Sequence, residues 1–475
     1  MIQPRRIYLL DTKKLSPETI AVTFAKTSRS PKSFDEIADE LSDKRSADFH
    51  EKWVVEYGHS SVAEHAVLHI AVENISRLAV ECLESNRLAS YTEKSSRYQV
   101  WDEDNFFIPE EIRGSIVENK YLEICKLLFK EYKTAFERVK KYLSEIKPRQ
   151  NNESERAYNN RIRTCSADIC RYYLPTSSLA NVGVSINARA LELALRKMLS
   201  HPLSEVRKIG EEIKAVSLKN IPTLVKYADR NDYLIQIEGE ITKKSLKMIS
   251  RVSSDDAWCE CADYDEDGEF QILAALFYRF SNLSFKEAYE HISQLPQQKL
   301  ESIAESLLGK LGKHDIPVRE MEYAQISFDL IVDQGAFFEL KRHRMMTQTA
   351  KPFSPQLGYA TPKTMSEAGL LDNFKTAMEK ARETFYAIRE IHPHAAAYIL
   401  PNAYNRRVFL KMNLRTALHL IKLRSAPNAH FAMRRAAQRV AEEIRNKYPL
   451  FALYFNINTD ETWRGLENDF FLKTS

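Results

Sequence analysis

Glycine is scarce in this chain, 12 among 475 residues, and none of it falls into GxGxxG or GxxxxGK[ST]. A glycine-rich phosphate loop at a helix start is therefore excluded, and any nucleotide must be held by side chains. The six cysteines (Cys82, Cys125, Cys165, Cys170, Cys259, Cys261) form no CxxC pair. That sparse pattern fits reduced thiols in a cytoplasmic protein better than a disulfide framework, and no metal centre is expected. There is no apolar run of about 18 residues, so no membrane-spanning helix is expected. The opening stretch MIQPRRIYLLDTKK loses its short apolar run at Asp11, well before the roughly 7–15 apolar residues of a secretory signal, and it reads as a first strand. Charge of one sign is not in excess either. The 69 basic and 65 acidic residues leave +4, too even a balance for a nucleic-acid partner, so any anion site must be local.

What is present is a globular composition, 44% hydrophobic and 28% charged, in a chain long enough for two or more cores. It also contains a diverged repeat. LPTSSLANVGVSINARALEL places Pro175 twelve residues before Asn187, with Arg189 two further on; LPNAYNRRVFLKMNLRTALHL does the same with Pro401, Asn413 and Arg415, at a constant offset of 226. Upstream, EHAVLHIAV from Glu64 matches EYAQISFDL from Glu322, with alternating Leu68, Ile70, Val72 and Ile326, Phe328, Leu330. Period-two alternation predicts a half-buried strand in each. The stretches from Glu205, Asn373 and Ala432 carry apolar residues at helical spacing. Order and spacing predict two similar domains, 1–235 and 236–475, of α/β (α+β) class, each a mixed sheet with long helices. The acidic stretch SSDDAWCECADYDEDGEF reads as a linker or surface loop, without the spacing of a calcium loop.

HSSVAEHAVLHIAVENISRLAVECLESNRLASYTEKSSRY resembles the signature region of the flavin-dependent thymidylate synthases. In that family a His and a Ser or Thr precede an EH pair, a strand follows, and the core is Arg-His-Arg, seven residues, then Ser. His59, Ser61, Glu64, His65, Ser76, Arg77, Arg87, Glu93, Ser95, Arg97 and Tyr98 fall on this pattern, but Ser85 and Asn86 replace the first Arg and the His, and Cys82 replaces the usual Gln. The second half keeps Arg342, His343 and Arg344, yet has Ala350 and Pro352 where the family's Glu and Ser belong. The family's Arg four residues before the Pro is Arg171 in the first half and Ala397 in the second; its Arg eleven residues after the Asn is Met198 in the first and Arg424 in the second. The losses are complementary. A lone Arg-His-Arg or Asn-x-Arg is more often a solvated patch or a helix start, and joint order along both repeats is what distinguishes these.

The resemblance implies reductive methylation of dUMP to dTMP, with methylenetetrahydrofolate as carbon donor, FAD as redox carrier and NADPH as reductant, at one composite site. Glu93, Lys94, Ser95, Ser96, Arg97 and Arg171, together with Arg342 and Arg424, would bind dUMP, Arg424 at the pyrimidine ring as the catalytic group. Arg342, His343, Arg344, Asn413, Arg415 and His419, with His59 and Ser61, would meet FAD. Arginine suits both tasks because it stays charged and offers a planar fork of donors to phosphate or carbonyl oxygens. The small-molecule sites of the family lie between subunits of a homotetramer, so a fused pair is expected to form a homodimer. The alternative is a catalytically inactive FAD- or nucleotide-binding homologue.

Overall fold

The computed structural model describes residues 5–28, 30–41, 46, 48–49, 60–97, 99–245, 257–312, 314–455 and 461–472. The alternation at Leu68 becomes strand β1 (Val67–Ser76), where Val67, His69 and Ala71 face outward and Leu68 is buried. Ser76 ends the strand and begins a helix, α1 (Arg77–Leu83), because its hydroxyl accepts the Ala79 N–H. After β2 (Ala89–Glu93) come two long helices, α2 (Glu118–Ile146) and α3 (Glu155–Cys170), and a 3-10 turn at Arg171–Tyr173. Strand β3 (Leu179–Asn187) then hands over to α4 (Ala188–Leu199) through an Asn187 cap on Ala190 N, and α5 (Ser204–Ser217) follows.

The second half repeats the strand order behind an extra edge strand, β4 (Cys259–Tyr264), and three helices (Gly268–Phe280, Phe285–Ser293 and Gln297–Leu308), with one long helix where the first half has two: β5 (Gln325–Asp333), α6 (Gln334–Leu340), β6 (Thr347–Ala350), α7 (Leu371–Ile391), β7 (Asn405–Asn413), α8 (Leu414–Arg424) and α9 (Phe431–Lys447). Asp333 caps α6 at Ala336 N and Asn413 caps α8 at Thr416 N. The expected class of repeated domains holds, and within it the sheets, β1-β3-β2 and β4-β5-β7-β6, are antiparallel throughout rather than mixed. The equivalent pairings Val67 with Asn187 and Gln325 with Asn413 fix the repeat register. Past Val72 the first half carries one extra residue. There β1 bulges, Asn74 takes φ 57°, and its amide donates to the Asn181 side chain at 3.0 Å. Asparagine tolerates that left-handed backbone better than most residues.

The halves meet through the two Leu-Pro segments. Thr176 N donates to Leu400 O and Asn402 N to Leu174 O, both at 3.0 Å; Ser177 N donates to Tyr398 O at 2.9 Å and Ala403 N to Tyr172 O at 3.1 Å. Each pair is its own image at the repeat offset, which places a local two-fold axis between Pro175 and Pro401. From beside this axis Tyr172 reaches the α6 cap, its hydroxyl donating to Asp333 Oδ2 at 3.2 Å. Tyr398 donates to Glu205 at 2.7 Å, and Glu205 in turn accepts the Ser76 hydroxyl at 2.6 Å. Helices α2 and α7 pack together, and Tyr121, Phe129, Tyr132, Tyr173 and Phe374 fill the space beneath them.

Two expectations are corrected. Residues 5–10 pair with no strand: Ile7 and Leu9 are exposed, and Arg6 and Tyr8 are instead tied by their side chains to Asp35. The acidic stretch is only partly a loop. Its residues 253–256 lie outside the described residues, but Cys259–Tyr264 forms β4 along the open edge of β5, with Cys259 buried. The acidic side chains occupy the solvent side of an edge strand, where charge discourages further pairing. All six cysteines are unpaired, and no described helix is long and apolar enough to cross a membrane.

Asp333 serves two elements at once, so Asp333→Ala should lower the unfolding free energy in urea by about 2–3 kcal/mol, through the lost cap and the stranded Tyr172 hydroxyl. Asp333→Asn retains an oxygen acceptor for Ala336 N and turns its amide N–H towards the Tyr172 hydroxyl, which can accept it, so it should recover more than half of that.

Candidate functional site

Three elements of the first half and two of the second deliver arginines and carboxylates to one region beside the two-fold axis. Glu93 ends β2, and Ser95, Ser96 and Arg97 follow it; Arg171 opens the turn after α3. Arg342, His343 and Arg344 follow α6, and Arg424 is the last residue of α8. The two sets meet inside one chain. Arg342 Nη2 donates to Glu93 Oε2 at 2.9 Å, while Arg77 holds the other oxygen, Oε1, at 3.1 Å. The Glu93 carboxylate is sealed from solvent, whereas Arg342 is 45% exposed. Burial pushes the Glu93 carboxyl upward, but Arg77, Lys341 and Arg342 outweigh it and hold the group below the usual range.

Beside this lies a nearly dry triad. Glu339 accepts from Arg171 Nη1 at 3.0 Å and from Arg424 Nη1 at 3.3 Å, with side-chain exposures of 7%, 4% and 15% for the three groups. Arg424 also donates from Nη2 to the Glu339 carbonyl at 3.2 Å and from Nε to His343 Nε2 at 2.9 Å. His343 therefore accepts at Nε2 and is neutral: burial, then the cationic Arg424, then His419, 5.8 Å away between ring centres, depress it to about 3. Arg97 makes a bidentate pair with Asp168 at 2.7 and 2.9 Å and donates to Asn428 O at 3.1 Å. Burial opposes the Glu339 charge, but Arg171, Arg97 and Arg424 together keep the carboxyl ionised. Removing one member of such a set would leave an uncompensated buried charge.

The remaining expected residues are placed as follows. Arg344 lies over the Tyr91 ring at 5.1 Å and, with Arg342, Glu93, Glu84, Thr92 and Lys341, lines a cavity of about 230 Å³. Its Nε is buried with no partner among the described residues, a donor available to a ligand. Ser95 is half-buried, its hydroxyl accepting Arg97 N at 3.2 Å; Ser96 is buried; Lys94 turns away, its ammonium 4.6 Å over the Trp101 ring. Asn413 is the α8 cap, and Arg415 pairs with Glu322 at 2.5 Å and donates to Pro317 O at 2.8 Å. The first half repeats this arrangement with Asn187 and the Arg189–Glu64 pair. Asn-x-Arg thus has a role in the fold of both halves, apart from any ligand it holds. Ser61 is exposed in the turn before β1, and His59 lies outside the described residues. Among the described residues no group of three His, Cys, Asp or Glu side chains is arranged to hold a metal ion.

Sequence reasoning missed Glu339, Asp168 and Arg77 as partners. Asp168 and Glu339 answer arginines that are 71 and 168 residues away, which no local pattern reveals. Glu339 had one signal: it stands three residues before Arg342, where the first half has Cys82 and the resembled family a Gln.

A family model described as thymidylate synthase complementing protein matches residues 9–223 and again 263–450. A UPF0159 protein of Chlamydia muridarum is 30% identical over 444 residues, 90% of this chain and 84% of that protein. Another, from Thermoplasma acidophilum, is 26% identical over 453 residues, 87% and 89% of the two chains. A flavin-dependent thymidylate synthase of Clostridium tetani is 28% identical over 216 residues, 82% of its own length but 45% of this chain, so a single-copy relative spans about one repeat.

The neutral His343 gives a signed pH dependence. Above an unfolded-state pKa of about 6.5 it is neutral folded or unfolded; as pH falls from there towards about 3, only the unfolded chain takes up the proton. Stability should drop by about 2 kcal/mol from this group between pH 6.5 and 5, read as a shift in the urea midpoint. His343→Asn, which copies Asn86 of the first half, should flatten that slope by one proton's worth.

Proposed function

The chain belongs to the thymidylate synthase complementing protein family, and from that membership we propose that it is a flavin-dependent thymidylate synthase with one composite site per chain. The reaction is the reductive methylation of dUMP to dTMP, with methylenetetrahydrofolate as carbon donor and NADPH as reductant. The observation that carries this reading is the union of the two incomplete halves: Arg342 of the second half rests on Glu93 of the first, and Arg171 and Arg424 converge on one carboxylate. Neither half alone holds the set.

In this reading Ser95, Ser96, Arg97 and Arg171 take the nucleotide phosphate, with N–H and O–H donors and full positive charge. Arg424 faces the pyrimidine carbonyl edge and stabilises negative charge as it develops there. Burial lowers the pKa of this guanidinium, chiefly offset by Glu339, so it is presented desolvated and fixed, the condition under which a charge acts most strongly on a neighbour. FAD fits on Arg342, His343, Arg344 and His419. The unpartnered Arg344 Nε is the buried donor it would satisfy, and the neutral His343 adds no charge beside the ring. The bound flavin supplies the electron pair for the reduction. The cavity of about 230 Å³ is below the roughly 300–1,000 Å³ of a drug-sized ligand site, so it takes only part of the flavin, and the rest lies where a second copy of the chain completes a homodimer. The six unpaired thiols support a cytoplasmic location in this reading.

A second reading, a catalytically inactive flavin- and nucleotide-binding homologue, is favoured by one observation: Arg97, Arg171 and Arg424 all carry carboxylate partners within the chain. Turnover separates the two readings. The purified protein should show a flavin spectrum, Arg344→Ala should lose the flavin, and dTMP should form from dUMP.

The placement of both arginine sets in one chain makes a sharper prediction. Arg97→Ala and Arg424→Ala should each reduce turnover by about thirty-fold or more, the effect of losing about 2–5 kcal/mol from a desolvated charged contact. Mixing the two variants should restore nothing, whereas recovery of activity would mean that the sites form between chains. Calorimetry with dUMP should give about one equivalent per chain.

A further inference from the structure

We propose that Glu339 sets the anion selectivity of the composite site: its carboxylate, held between Arg171 and Arg424, occupies the place on Arg171 that a phosphate would take, and yields it when a phosphate-bearing ligand arrives. The identity of the nucleotide rests on the reading above; the competition between carboxylate and phosphate does not.

Geometry carries the argument. The two oxygens of Glu339 go to two different arginines, Oε1 to Arg171 at 3.0 Å and Oε2 to Arg424 at 3.3 Å. This is the bridging place of a doubly liganded anion, and the group filling it is almost sealed from solvent. The arrangement leaves Arg171 half satisfied. Its Nε and Nη2 are buried and have no hydrogen-bond partner among the described residues, and a ligand with several acceptor oxygens could use donors that one carboxylate oxygen cannot reach. The repeat adds a control. At the equivalent place across the two-fold axis Cys82 stands opposite Ala397 and Met198, so the carboxylate is present where the two arginines are and absent where they are not.

The physical logic is a trade between folding and binding. Two buried guanidinium groups facing one slot repel each other, and the resident carboxylate lets the site fold without a ligand. A phosphate monoester brought into that slot meets a negative charge a few ångströms away, a penalty that the same ligand without phosphate does not meet.

The test is Glu339→Gln, which keeps the side-chain shape and one acceptor, in calorimetric titrations of the full-length protein with inorganic phosphate, dUMP and deoxyuridine at fixed ionic strength. Phosphate and dUMP should bind the variant about tenfold or more tightly than the unaltered protein, while deoxyuridine, which brings no charge into the slot, should gain much less. Glu339→Asp, which keeps the charge, should remain as weak for phosphate as the unaltered chain. Phosphate binding that is equal or weaker in Glu339→Gln overturns the proposal, as does a gain of the same size in Glu339→Asp. Tighter phosphate binding with no dUMP binding by either protein upholds it and defeats the nucleotide assignment instead. Should Glu339→Gln alone fail to fold, Arg424→Gln with and without Glu339→Gln asks the same question at balanced charge: tighter phosphate binding in the double variant supports the proposal, and equal binding overturns it.

Discussion

The reciprocal backbone pairing of the two Leu-Pro segments is the constraint on which the rest of the molecule depends. Four N–H to carbonyl bonds, linking Thr176, Ser177, Asn402 and Ala403 to their opposite numbers, close the halves around one axis. Buried backbone groups must find partners, and these four find theirs in the other repeat. Once this pairing is made, Tyr172 is carried across the axis to the α6 cap and Tyr398 to Glu205 of α5, which backs the α1 cap, and Arg171, next to Tyr172, is delivered to Glu339. The site is thus a consequence of the joint between the halves.

A two-fold joint between identical chains must place each residue opposite its own copy. Fusion removes that restriction, and this chain has used the freedom. Glu84 and Lys341 occupy equivalent positions and face each other as an ion pair at 3.0 Å, both nearly buried; in a symmetric dimer that place would hold two glutamates or two lysines and repel. The helix caps have diverged in the same way. The first half uses Ser76 backed by Glu205, while the second puts the carboxylate in the cap itself, at Asp333, and sets Phe431 against Tyr172 where Glu205 would stand.

The repeat was legible from sequence because it is written in short-range patterns. Alternation gave β1 and β5, helical spacing gave α5, α7 and α9, and the asparagines at 187 and 413 stand at the helix starts where a capping side chain is needed. The failures have the opposite character. Tyr8 and Leu9 look like strand residues, but no strand edge is offered to them, whereas Cys259–Tyr264 looks too acidic and is a strand because the edge of β5 lies open. Tertiary context outweighed local pattern in both cases. The arginines and Glu93 could be chosen from the resemblance, but Glu339 and Asp168 could not, since nothing near Arg171 or Arg97 in sequence points to them.

Those partners alter what complementary loss means. Were the missing residues simply decay, the emptied positions would retain the polar groups that once surrounded them, stranded in a dry interior at a cost of about 1–3 kcal/mol each. The emptied side instead holds a buried Met198 and half-buried Ala397 and Cys82, and Arg406 and Glu81 satisfy each other at 2.8 Å. The filled side retains charge, with each of Arg97, Arg171, Arg342 and Arg424 answered by a carboxylate. One side of the axis now carries small and apolar side chains, and the other keeps the charge. Duplication supplied two copies of a half-site, and divergence about the axis has concentrated the polar chemistry of both into one.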